Sequence, residues 1–119
     1  MFQIEYYQLP SGRCPAKDFI EGLSDGAIAS VLAIIDVLEK YGNLIGEPES
    51  KHIGKGLFEL RTRTRDGQVR ILYFFCRGRK CVITNGFIKK QSKVPQRQLL
   101  LAQKYKKDYL ARCVNEKND

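Results

Sequence analysis

Apolar and polar positions alternate loosely along residues 2–9, a stretch rich in Tyr, Phe and Ile that predicts a first strand. Pro10, Ser11, Gly12 and Pro15 mark the turn after it. A short helix follows over about 15–23, with a proline at its start, where a missing N–H costs nothing. Ser24 or Asp25 caps a longer helix, in which Ile28, Val31, Leu32, Ile35 and Leu38 recur at spacings of 3 and 4 and share one face. Gly42 is its left-handed stop. Residues 44–56 read as a loop, with Gly46, Pro48, Gly54 and Gly56, and this loop carries Lys51, His52 and Lys55. A two-residue period returns in three segments, 57–64, 68–76 and 80–87, joined through Asp66-Gly67 and Gly78-Arg79, both strong hairpin signals. From about 95 to 113 the period is helical again, with Leu99, Ala102, Tyr105 and Tyr109 on one side. The expected order is β-α-α-β-β-β-α. It describes an α+β fold, a small antiparallel sheet with helices packed on one face.

Composition bounds this picture. A chain of 119 residues with 43% hydrophobic content supplies one domain, spanning 1–119, with a real core. No apolar run approaches the roughly 18–20 residues of a membrane span. The start, Met1-Phe2-Gln3-Ile4-Glu5, has neither the basic opening nor the apolar middle of a signal peptide. A cytoplasmic protein without a membrane partner is expected. Cysteines at 14, 76, 81 and 113 form no Cys-x-x-Cys pair, and the single histidine, His52, adjoins none of them, so neither a structural metal nor a cofactor is expected. Cys76 and Cys81 are placed across a hairpin, where buried thiols are favoured over a disulfide in a reducing compartment.

Charge changes the picture most. Up to Ser50 there are 3 Lys and Arg against 8 Asp and Glu; from Lys51 onward there are 18 against 5, for a total of +8. Such a basic half calls for a polyanion, and nucleic acid is the natural one. A two-residue Asp66-Gly67 loop would pair Arg65 with Gln68, Arg63 with Arg70, Arg61 with Leu72 and Glu59 with Phe74. Glu59, Arg61, Arg63 and Arg70 then share one face, and Phe58, Leu60, Val69, Ile71, Tyr73 and Phe75 share the core face. The second turn pairs Cys76 with Cys81, Phe74 with Ile83, Leu72 with Asn85 and Arg70 with Phe87, so that Asn85, Phe87 and, if the strand continues, Lys89 join the basic face. Like charges directly opposite one another are destabilising, so facing arginines point to a bound phosphate. Phe87 and Phe74 are expected to offer rings on which a base stacks. Cationic neighbours favour the neutral form of His52, the form that a general base needs.

As a set, Gly56-Leu57-Phe58-Glu59-Leu60-Arg61, Val69-Arg70-Ile71-Leu72-Tyr73-Phe74, Asn85-Gly86-Phe87-Ile88-Lys89-Lys90 and Pro95 before a helix with Ala102 and Tyr109 resemble the RelE/ParE toxin superfamily. The similarity is greatest to its phage-derived HigB-like branch, and covers residues 4 to about 109. That resemblance implies a RelE-like fold and the toxin of a type II toxin–antitoxin pair, which cleaves mRNA in the ribosomal A site without a metal. The ribose 2′-OH would attack the adjacent phosphorus, leaving a 2′,3′-cyclic phosphate and a 5′-OH. Arg61 and Arg70 match the arginines that grip the scissile region, and His52, with Lys55 as substitute, lies where relatives keep a catalytic residue. Lys51, Arg63, Asn85, Phe87, Lys89, Lys90 and Lys93 would bind RNA. The partner implied is a cognate antitoxin, a small helix-turn-helix protein. Two other readings stay open: a non-catalytic RNA-binding module, and a ParE-like inhibitor of DNA gyrase.

Overall fold

The structure is a computed structural model that describes residues 1–90 and 93–118. Among the described residues the order is β1 (Gln3–Tyr6), α1 (Pro15–Glu21), α2 (Asp25–Tyr41), a 3-10 turn (Gly42–Leu44), β2 (Ser50–Gly54), β3 (Leu57–Thr64), β4 (Gly67–Cys76), β5 (Lys80–Lys89) and α3 (Gln96–Asn118). The fold is α+β, with one strand more than the periodicity predicts. That strand, β2, lies in the stretch read as a loop. Its glycines mask the pattern, and a bulge between His52 and Gly54 breaks its alternation.

The strands form one sheet in the order β1-β5-β4-β3-β2. β1 runs parallel to β5, so the sheet is mixed rather than antiparallel. Helices cover both faces, not one. On the first face Ala16 and Ile20 of α1 and Val31, Ile35 and Leu38 of α2 bury Leu60, Val69, Ile71, Tyr73, Cys81 and Ile83. On the second, Ala102 and Tyr105 of α3 pack on Leu57, Leu72, Phe74, Val82 and Phe87. Leu99 and Tyr109 join them, on the helix side that the period assigns to packing. In α2 the buried stripe is Ala27, Val31, Ile35 and Leu38, while Leu32, one residue past Val31, turns outward and is exposed.

The β3–β4 hairpin closes two residues away from the expected register. Thr64 pairs with Gly67, so that Arg65 and Asp66 form the loop, and Arg61, not Arg63, faces Arg70. Asp66 explains the choice. Its carboxylate accepts from the backbone N–H of Ser24 at 2.8 Å and from the Ser24 hydroxyl at 2.6 Å, tying the turn to the cap of α2. Thr64 donates its hydroxyl to the Gly67 carbonyl at 2.8 Å and accepts from the Asp66 N–H at 3.1 Å.

Between β4 and β5 the register shifts once, between Leu72 and Tyr73. Thr84 is the extra residue, and its hydroxyl donates to the Leu72 carbonyl at 3.2 Å. Beyond the bulge Leu72 meets Asn85 and Arg70 meets Phe87, as expected. Before it Phe75, not Cys76, meets Cys81, and Tyr73, not Phe74, meets Ile83. Cys81 is buried as a free thiol, and burial pushes its pKa up to about 11. No helix among the described residues is long and apolar enough to cross a membrane.

Candidate nucleic-acid interface

Residues directly opposite in neighbouring strands share a face. The pairings therefore set out the second face of the sheet in rows. Asn85, Leu72, Glu59 and Lys51 form one row; Phe87, Arg70 and Arg61 form the next; Lys89, Gln68 and Arg63 form the last. β5 does continue to Lys89, which joins the basic face. α3 covers the apolar side of this array. The side toward the β3–β4 turn is left open, and there Pro48, Glu49, Arg61, Thr62, Arg63, Gln68 and Arg70 line a depression of about 400 Å³.

Its floor is a charged cluster. Glu59 has no exposed side-chain surface, and its Oε1 accepts from Arg61 Nε at 2.8 Å. The same oxygen lies 3.5 Å from Arg70 Nε. Arg70 donates from a terminal nitrogen to the Gln68 side-chain oxygen at 2.9 Å. Burial draws the Arg70 guanidinium below its ordinary pKa; Glu59 raises it again and Arg61 opposes that. It remains protonated at neutral pH, as arginines in proteins do. Two guanidiniums sharing one carboxylate retain one net positive charge beside an open depression. Arg63 and Glu49 on its rim are exposed. Such a site can take an anion with planar, paired acceptors, of which a phosphate is the usual case.

Other expected site residues lie elsewhere. His52 pairs with Phe58, its ring 4.9 Å from the Phe58 ring, on the face that α1 and α2 cover. It is thus separated from Arg61 and Arg70 by the thickness of the sheet. Strand alternation within β2 is what sends Lys51 to one face and His52 to the other. Lys55 sits in the β2–β3 turn with φ of 53°, and its carbonyl accepts from Lys106 Nζ at 2.7 Å. That turn adjoins Leu57, four residues or roughly 13 Å along the strand from Arg61.

Neither aromatic offers a ring to a base. Phe87 is 6% exposed, and Phe74 is fully buried, edge-on to Tyr109. Asn85 is buried as well, and its amide donates to the Gln98 carbonyl at 3.2 Å and to the Gln98 side-chain oxygen at 3.0 Å, fixing the start of α3. Lys90 and Lys93 are exposed beyond β5, in the connection to α3 at the open end of the array.

Pro48, Glu49, Thr62 and Gln68 line the depression without being among the expected site residues. Gln68 alternates with Arg70, so strand parity places it on this face. Glu49 was hidden because the stretch before β2 reads as a loop; its carbonyl accepts from the Arg61 N–H at 2.8 Å, which brings it beside the arginines.

A family model described as Phage derived protein Gp49-like (DUF891) matches residues 18–107. The chain belongs to that family. The matched segment holds β2 to β5 and every residue of the depression, so the Gp49-like family is defined over the charged face and not beside it. Gp49-like proteins are commonly associated with the toxins of toxin–antitoxin pairs. No curated protein matches the chain.

Proposed function

We propose that this Gp49-like protein is the toxin of a toxin–antitoxin pair and cleaves mRNA on the ribosome, in the manner of the RelE and HigB toxins it resembles. The observation that carries the reading is the pair of facing guanidiniums, Arg61 and Arg70, held on a buried carboxylate at the floor of an open depression. Glu59 offsets one of the two charges, and a phosphodiester between the guanidiniums would offset the other. Lys51, Arg63 and Lys89 extend the positive field along the strand rows, so a single-stranded backbone can run across the face.

In this reading the ribose 2′-OH attacks phosphorus in line and the 5′-oxygen departs, so a proton leaves the first and another reaches the second. Arg61 and Arg70 stabilise the charge that builds on the phosphoryl oxygens, commonly the largest catalytic contribution. Glu49 is the exposed carboxylate of the rim and can accept the 2′-OH proton. Lys51 and Lys89, outside the depression in the rows on either side of the arginines, are the lysines of the face that could supply one to the leaving oxygen. With no aromatic ring open on this face among the described residues, bases stack on guanidinium planes or on ribosomal RNA. The ribosome supplies the alignment of the mRNA.

The experiment adds the purified protein to a bacterial cell-free translation reaction and maps mRNA 5′ ends, beside Arg70→Ala and Arg70→Lys. New 5′-OH ends at codon-defined positions, lost in the alanine variant, support the reading. Intact mRNA with translation running refutes it. The position of His52 favours a second reading, a non-catalytic RNA-binding face; ribosome binding without cleavage is its signature.

A further inference from the structure

Glu59 is the residue of this face that folding does least to justify. Its neighbours on the same face are Leu57 and Arg61 along β3, Leu72 on β4 and the exposed Lys51 on β2. An apolar side chain would fill the position without removing a charge from water, and replacing buried ion pairs by well-packed apolar groups is often neutral or stabilising. The carboxylate is nevertheless fully buried, with Arg61 Nε at 2.8 Å and Arg70 Nε at 3.5 Å from one oxygen. Its other oxygen, Oε2, and Arg70 Nε are buried without a hydrogen-bond partner among the described residues. Each guanidinium thus turns its Nε edge to the same inward point, while both side chains line the depression.

We propose that Glu59 is a positioning residue. It sets the spacing and the planes of the Arg61 and Arg70 guanidiniums so that both meet one phosphodiester, while lowering the net positive charge of the face. The inference rests on the RNA-cleaving reading above and deepens it. Two roles for Glu59 then differ in sign. If it only dilutes charge, its removal tightens RNA binding and leaves cleavage intact. As a positioning residue, its removal leaves binding equal or tighter but slows the chemical step, because displaced guanidiniums no longer match the transition state.

The test compares the full chain with Glu59→Gln, which keeps the shape and loses the charge, and Glu59→Asp, which keeps the charge and withdraws it by one methylene. Cleavage of ribosome-bound mRNA is followed in single turnover against protein concentration. Both variants are expected to keep the half-saturating concentration or lower it, and to lose about 10-fold or more in limiting rate. Nitrogen-15 spectra report the arginine Nε–H groups independently of cleavage. The Arg61 signal, identified by its loss in Arg61→Lys, is expected to exchange slowly with water in the wild type and fast in Glu59→Gln.

Wild-type rates in both folded variants overturn the proposal. If Glu59→Gln does not fold, Glu59→Asp decides; if neither folds, the role is structural and the proposal fails. A wild-type protein that cleaves nothing refutes the proposed function instead. The Nε–H spectra then decide for Glu59 alone, and an unchanged Arg61 signal overturns its positioning role.

Discussion

Arg63→Ala separates the charge of the face from its architecture. Arg63 is exposed, faces Gln68, and has no ion-pair partner among the described residues. On the proposed function, losing it removes a phosphate contact and nothing that holds the sheet. Lys51, Arg61, Arg63, Arg70 and Lys89 share the face, and the buried Glu59 offsets one of them. About four effective contacts on single-stranded RNA, at a slope of about −0.7 each, predict a log–log salt slope of about −2.8. A fourfold rise in salt, from about 50 to 200 mM, then weakens wild-type binding by about 50-fold. With one contact fewer the slope becomes about −2.1 and the loss about 20-fold. The assay is fluorescence anisotropy of a labelled oligoribonucleotide across that salt range, with a thermal melt of each protein. The melting temperatures should agree within about 2 °C, as for surface substitutions generally. Equal salt slopes for the two proteins would refute the claim that this face carries the RNA.

Other outcomes follow from the same geometry. His52→Ala should leave mRNA cleavage at the wild-type rate in the cell-free reaction, since His52 lies on the opposite face beside Phe58; a large loss would mean that substrate reaches both faces. Gly86→Ala would bring a methyl to 2.6 Å from Phe19 Cδ2 and 2.8 Å from Ile71 Cδ1. Such overpacking should cost about 1–3 kcal/mol in urea denaturation, whereas no loss would mean that Phe19 yields freely. The Asp66 carboxyl is held below its ordinary pKa by its bonds to Ser24, so it favours the fold at pH values above its unfolded pKa, and that contribution disappears as pH falls through the folded value. Below about pH 4 the melting temperature of the wild type should therefore fall more steeply than that of Asp66→Asn, and parallel curves would count against the Ser24 link.

Much of this face was legible because the register error was an even one. Closing the hairpin at Arg65-Asp66 instead of Asp66-Gly67 shifts the pairing by two, and a shift by two leaves every side chain on its own face. Glu59, Arg61, Arg63 and Arg70 thus stay together although their partners change. A slip by one would have reversed the faces. What patterning could not show was tertiary: the bond from Asp66 to Ser24 that selects the turn, and the bulge at Thr84. Phe74 and Phe87 sit on the basic face by parity, and only the docking of α3 turns them from open rings into core. His52 was misplaced for a different reason. A loop imposes no parity, so beside Lys51 and Lys55 it reads as lying with the arginines; as part of β2 it takes the face of Phe58.

The sheet face changes character over two rows. Toward the β4–β5 turn, Val82, Phe74 and Leu57 are packed against α3. Toward the β3–β4 turn, Lys89, Gln68 and Arg63 carry charge and amide groups, with Arg63 and Gln68 exposed. Two rows lie between; the first holds Asn85, Leu72, Glu59 and Lys51, and there Asn85 bonds Gln98 at the start of α3. α3 therefore begins where apolar and charged positions start to mix, with Phe87 still packed on it beside Arg70. Glu59 stands in that row with its carboxylate in the dry part and its partners, Arg61 and Arg70, facing the open part. A charge in such a place is weakly solvated, so its attraction for the guanidiniums is less screened than it would be at an open surface. The helix that closes the core and the carboxylate that holds the arginines thus meet in the same row, where the packing of the fold sets the geometry of the charged site.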